Sequence, residues 1–182
     1  MGARIGKSSD NNRTDLLQFN PLWYRAMRRD ELTGDITQTA FDFFYWFSRF
    51  EFCLKENRYL KNAKPKAIAE PGWAQFVAEF ESRYQVSTEA RALLRHPPER
   101  QIVGPNGDLT WRPVGLNGCT SELAAVVRLL KAVRNNLFHG GKHGSTTWDN
   151  KERTQSLLQN GEAILGHLAA LADFENDYKR LY

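Results

Sequence analysis

Eight of the twelve residues from Phe41 to Phe52 are aromatic, and no other feature restricts the fold of this chain as tightly. Rings at that density have to be covered, since each fully buried Phe-sized side chain contributes roughly 1.5–3 kcal/mol. The stretch is shorter than the roughly 20 apolar residues needed to cross a bilayer, and Asp42, Arg49 and Glu51 interrupt it. It therefore reads as a core helix running from Asp35 or Thr37 to about Asn62, where Lys64-Pro65 stops it. Apolar side chains surround much of that helix, so it must be covered on more than one side, by its own domain or by a second subunit. A homodimer is the expectation.

The rest of the chain supplies partners for such a helix. A shorter helix is predicted from Trp73 to about Tyr84, with Trp73, Phe76, Val77, Phe80 and Tyr84 on one stripe, followed by a short helical turn over Ser87 to Arg95. Pro97-Pro98 ends that turn. Asn106-Gly107, between Ile102-Val103 and Leu109-Trp111, carries a β-hairpin signal. Residues 97–118 thus read as an insertion between the second and third main helices. The third starts from a Thr120 or Ser121 cap and runs to His139, with Leu123, Val126, Val127, Leu130, Val133 and Leu137 on one face and Gly140-Gly141 behind it. After a polar loop at 142–148, one last helix is predicted from Asp149 to Tyr182. The expected fold is all-α: four main helices with a small hairpin or loop insertion.

With 182 residues, one domain with a substantial core is expected over 31–182, preceded by a partly ordered arm over 1–30 that docks on it. The chain carries 25 Lys+Arg against 21 Asp+Glu, a net charge of +4 that suits a polyanionic partner without requiring one. Sixteen of the cations are arginine, whose planar fork fits phosphate better than lysine does. Arg28 and Arg29 in the arm read chiefly as solvated residues. Cys53 and Cys119 match no zinc spacing and imply no disulfide framework, so a reducing compartment is expected. The N-terminus lacks an apolar signal core, and a cytoplasmic location without membrane attachment follows as an expectation. Cys119, just before a helix start, is a remote candidate for a nucleophile, with no recognised motif around it.

The chemistry concentrates at the end of the third long helix, which reads KAVRNNLFHGGKH. Histidine ordinarily titrates near neutrality and suits general acid–base work, while arginine can steady a negatively charged transition state. A helix C-terminus favours the protonated imidazole of His139. Arg134 and His139 lie about 140° apart around an ideal helix, so one subunit alone looks incomplete, whereas two such helix ends across a twofold axis form one cleft. Asn135, four residues before His139, is placed to orient its ring. A second string, Arg91 to His96, has the same spacing, but no polar residue follows the arginine and it runs into Pro97-Pro98.

An arginine, then a polar residue, then histidine five positions after the arginine, near a helix end in a four-helix domain, resembles the HEPN superfamily of ribonuclease-like domains. The resemblance covers about Asp35 to Tyr182 by helix order, including YWFSRFEFCLKE in the first helix, while RNNLFH alone matches as a motif. It implies a metal-independent endoribonuclease, acting on RNA at a dimer interface through 2′-hydroxyl attack, in a defence, toxin or stress role, without cofactor or metal. Arg134 and His139 are the implied catalytic pair, supported by Asn135. Glu51 is a further candidate because first helices of this type often carry a polar group facing the site, although an i, i+4 pair with Lys55 is its simpler reading. Lys131, Lys142 and His143 are candidates for holding phosphate. Gly141 stands where the toxin branch carries a tyrosine, so a nucleotidyltransferase-type antitoxin is not expected; another antitoxin or a sensor protein remains open as a partner. The alternative is a non-catalytic HEPN-like helical module that binds RNA or a protein.

Overall fold

The aromatic segment folds as α1 (Asp35–Glu56), around which the described structure is arranged. The structure is a computed structural model that describes residues 35–139 and 150–180. The arm over 1–30, with Arg28 and Arg29, and the loop over 142–148 lie outside the described residues, which all belong to one unit, 34–182. Next come α2 (Trp73–Phe80), α3 (Thr88–Arg95), strands β1 (Glu99–Val103) and β2 (Leu109–Pro113), α4 (Glu122–His139), α5 (Lys151–Leu171) and α6 (Glu175–Lys179). The described chain is mostly helical, with one small antiparallel two-stranded sheet. No helix among the described residues is long and apolar enough to cross a membrane.

Two faces of α1 have different fates. Phe43, Phe47, Phe50 and Leu54 recur at the helical 3–4 spacing and are fully covered. The ring of Phe50 lies 5.0 Å from Trp73 and 5.3 Å from Phe76, and Phe174 and Tyr178 of the C-terminal segment close the same cluster. Phe43 packs against Gly161 of α5, where a Cβ would stand 2.5 Å from its ring, so the glycine lets the two helices approach. On the second face Phe41, Phe44 and Tyr45 stay exposed at 60%, 37% and 36%. The domain covers one side of the aromatic helix and leaves the other open.

Three predicted helix ends are corrected. The first helix stops at Glu56, not Asn62, because Arg58 adopts φ 68° and the amides of Arg58 and Tyr59 bond back to the carbonyls of Lys55 and Leu54 at 3.1 and 2.8 Å. This is a Schellman stop without the usual glycine. The second helix ends at Phe80, not Tyr84, and continues only as turns. The last predicted helix is two: Asp173, at φ 59°, makes the same stop after α5, with the amides of Asp173 and Phe174 bonding to Ala170 and Ala169. That turn brings Phe174 and Tyr178 back into the core. The described residues therefore hold six helices where four main ones and a short turn were expected.

Other boundaries agree with the expectation. Ser87 caps α3, accepting from the Ala90 amide, and Ser121 rather than Thr120 caps α4, accepting from Ala124 at 3.2 Å. The hairpin turns at Asn106-Gly107, where Gly107 has φ 82°. Asn136 of α4 donates to the Glu99 carbonyl at 2.6 Å, tying β1 to the helix that carries RNNLFH.

Arg49 is the buried charge of α1, 6% exposed. Its guanidinium donates to the carbonyls of Asp177, Tyr178 and Arg180 at the end of α6, and its cation lies 5.0 Å from the Phe52 ring. Cations at helix C-termini answer the partial negative charge of unpaired carbonyls, so Arg49 anchors the C-terminal segment.

Candidate functional site

The start of α2 is set by a close approach. The amide of Gly72 bonds to the Tyr59 carbonyl at 2.7 Å, and a Cβ on Gly72 would stand 2.7 Å from the backbone of Tyr59 and Leu60. Only glycine fits there. The Schellman turn after α1 and this contact fold residues 57–72 into a tight excursion that delivers Trp73 back onto α1, its ring 5.0 Å from Phe50 and nearly parallel to it. A buried indole needs an acceptor for its N–H. Trp73 Nε1 finds it in Glu51 Oε1 at 3.0 Å.

That carboxylate oxygen also receives Arg134. Its Nη2 lies 3.4 Å from Glu51 Oε1, its Nη1 donates to Asn135 Oδ1 at 3.0 Å, and its charged centre sits 5.2 Å from the Phe47 ring. The Arg134 and Glu51 side chains are 30% and 22% exposed, at the edge between core and solvent. Three helices thus fix one guanidinium: α1 through Glu51 and Phe47, α2 through Trp73 on the shared oxygen, and α4 through Asn135. Glu51 pairs with Arg134 and Trp73 and not with Lys55, which corrects the simpler helix-pair reading.

His139 is the last residue of α4; its side chain lies outside the described residues, as do Lys142 and His143. Asn135 is engaged with Arg134, so its expected role on the His139 ring has no described geometry. Lys131, one turn before Arg134, is exposed. Phe138, beside His139, is 58% exposed, and its ring lies 5.1 Å from Phe44, extending the open aromatic face of α1 to the end of α4. The other spaced pair ends differently: Arg91 and His96 are both exposed, and the His96 carbonyl accepts from Arg153. Cys119 is half-buried in the turn before α4.

Two contributors escaped the sequence reading. In the sequence Trp73 marks only a core position, and no local pattern marks an indole as donor to a carboxylate 22 positions earlier. Arg128 carries no motif of its own, although its spacing of three residues from Lys131, and of Lys131 from Arg134, is visible in RLLKAVR. It lines a groove of about 470 Å³ between α2 and α4, together with Lys131 and Trp73. Comparisons with protein-family models, curated proteins and solved structures returned no match to this chain.

Proposed function

We propose that the chain is a metal-independent endoribonuclease of the HEPN type, a four-helix arrangement with a hairpin insertion, acting as a homodimer. The observation that carries the reading is the clamped guanidinium of Arg134, five residues before His139 at the end of the same helix. A cation held in advance by an acidic partner and a neighbouring amide loses little freedom when it meets a charge-rich transition state. In the proposed reaction the ribose 2′-oxygen attacks the adjacent phosphorus as the bond to the 5′-oxygen breaks. The products are a 2′,3′-cyclic phosphate and a 5′-hydroxyl. His139 transfers a proton to the leaving oxygen or takes one from the attacking hydroxyl, and a second His139 from the partner copy supplies the other transfer. Arg134 bears on the non-bridging phosphate oxygens.

The exposed Phe41, Phe44, Tyr45 and Phe138 support the dimer. A contiguous apolar patch next to a helix end is an association surface rather than a solvated one, and burying it would bring two His139-bearing helix ends together. A second reading is a helical module that binds RNA or a protein without catalysis. It is favoured by the ties of Arg134 to Glu51, Asn135 and Phe47, which would equally serve an arginine with a structural task.

The deciding experiment is cleavage of a mixed RNA substrate in EDTA by the wild type, His139→Ala and Arg134→Ala, with circular dichroism confirming folding. Wild-type cutting with 2′,3′-cyclic phosphate ends, lost in both variants, is the expected result. Folded wild-type protein that leaves RNA intact would favour the binding module.

A further inference from the structure

The groove between α2 and α4 begins at the Arg134 cluster. Trp73, whose indole shares Glu51 with Arg134, forms its near wall. From there it follows α4 back to Thr120, whose hydroxyl meets Glu81 at 3.5 Å and marks the far end. Along one wall stand Arg128 and Lys131, and Arg134 continues the row beyond the groove. Each step is three residues, about 4.5 Å of helix rise and a turn of about 60°, so Arg134 lies about 120° around α4 from Arg128 and only Arg128 and Lys131 face the groove. Arg128 is held by neutral groups, donating to the carbonyls of Gly115 and Asn117 at 3.1 and 2.9 Å, so its orientation is set without an ion-paired partner among the described residues. Lys131 has no hydrogen-bonded or ion-paired partner among the described residues. The floor is apolar and shallow, with Val77, Ala78 and Ala124 offering small side chains.

We infer that this groove is the track along which a single strand of RNA approaches the Arg134 centre, with phosphates on Lys131 and Arg128 and a base face on the alanine-lined floor. The inference deepens the nuclease reading and rests on it for the placement of the reaction centre. The chemistry argues for this occupant. Two neighbouring cations on one groove wall, Arg128 and Lys131, suit a backbone with one negative charge per residue, and the apolar floor beside them suits the unstacked bases that only single strands present. Glu81 stands at the Thr120 end, and Lys131 lies between it and the Arg134 centre. A volume of about 470 Å³ is sufficient for a small planar ligand portion.

The test is the affinity of the full-length protein for a fluorescein-labelled, 2′-O-methylated single-stranded oligonucleotide, which cannot undergo 2′-hydroxyl attack, read by anisotropy at several salt concentrations. Lys131→Glu should weaken binding by about tenfold or more and lower the salt slope by at least about one. Ala78→Trp, which fills the floor at an exposed helix position, should weaken binding with the salt slope unchanged. Lys64→Glu, the same charge change on an exposed loop, should leave affinity within twofold. The inference is overturned if both groove variants bind like the wild type, if Lys64→Glu weakens binding as much as Lys131→Glu, or if a polyglutamate peptide binds the groove more tightly than the oligonucleotide. Cleavage of unmodified RNA by the same proteins separates the two readings. Groove variants that bind and cut normally sink the track but leave the nuclease standing, whereas groove-dependent binding with no cutting by the wild type keeps the track and removes the nuclease.

Discussion

Arg134 on α4 meets Glu51 on α1 across 83 positions of sequence, Nη2 to Oε1 at 3.4 Å, on an oxygen that Trp73 already occupies as donor. The pair is neither a surface ion pair nor a fully buried one, and its position suggests that it serves orientation more than stability. Partly exposed pairs of this kind contribute about 1 kcal/mol or less. Glu51→Gln keeps an acceptor for Trp73 and removes the charge that holds Arg134. Unfolding in urea should shift by about 1 kcal/mol at most, while RNA cleavage falls about tenfold. Arg134→Lys, which loses the planar fork, should cost about 100-fold in cleavage rate. A Glu51→Gln protein with wild-type cleavage would show that the ion pair does not position the arginine.

The open aromatic face gives a prediction about assembly. Phe41 and Phe44 are exposed on α1, and the Phe44 ring lies 5.1 Å from that of Phe138, tilted against it. Sedimentation equilibrium should give twice the 20.9 kDa chain mass for the wild type. Phe41→Glu combined with Phe44→Glu should give monomers that remain folded by circular dichroism, and RNA cleavage should disappear with the dimer. Cleavage at wild-type rate by a monomeric double variant would contradict a composite site.

Two glycines are required by contact. Gly161→Ala would drive a methyl group into the ring of Phe43, and overpacking of this kind costs typically about 1–3 kcal/mol, readable as a lower urea midpoint. Gly72→Ala meets the backbone of Tyr59 and Leu60 instead of a side chain that can turn away. Its expected signature is a shift in near-ultraviolet circular dichroism, because the displaced residue is followed directly by Trp73.

Stability should fall on the alkaline side. Burial pushes the Cys53 thiol up from 9.0 to about 11 and the Tyr84 hydroxyl from 10.0 to about 12, and it raises Tyr178 further. For such groups the unfolded chain loses its protons first, so folding stability is fully present below the unfolded values and is lost as pH climbs through the folded ones. The urea midpoint should stay flat from these groups up to about pH 8.5 and decline steadily from pH 9 to 11. Cys53→Ala should lower the midpoint at neutral pH through the cavity it leaves and flatten the alkaline decline. A decline of unchanged steepness in that variant would remove Cys53 as a contributor. In the folded protein a thiol reagent at pH 8 should modify Cys119 well before the buried Cys53.

What the sequence alone determined is everything written in short-range pattern. The stripe Phe43, Phe47, Phe50 and Leu54, the apolar face of α4, a helix start at Thr120 or Ser121 and the Asn106-Gly107 turn are each settled within a few neighbouring residues, because helical period, capping and left-handed turns are local properties of the backbone. The helix stops at Arg58 and Asp173 were not legible, since neither is the glycine that usually takes that conformation; folding Tyr59 and Phe174 onto the core holds them there. Glu51 was visible as a polar interruption, but its partner was not. Its meeting with Trp73 and Arg134 depends on how three helices pack and on a glycine that admits a neighbouring backbone. Contacts between residues 22 and 83 positions apart are decided by tertiary packing because no local preference of either residue encodes the other.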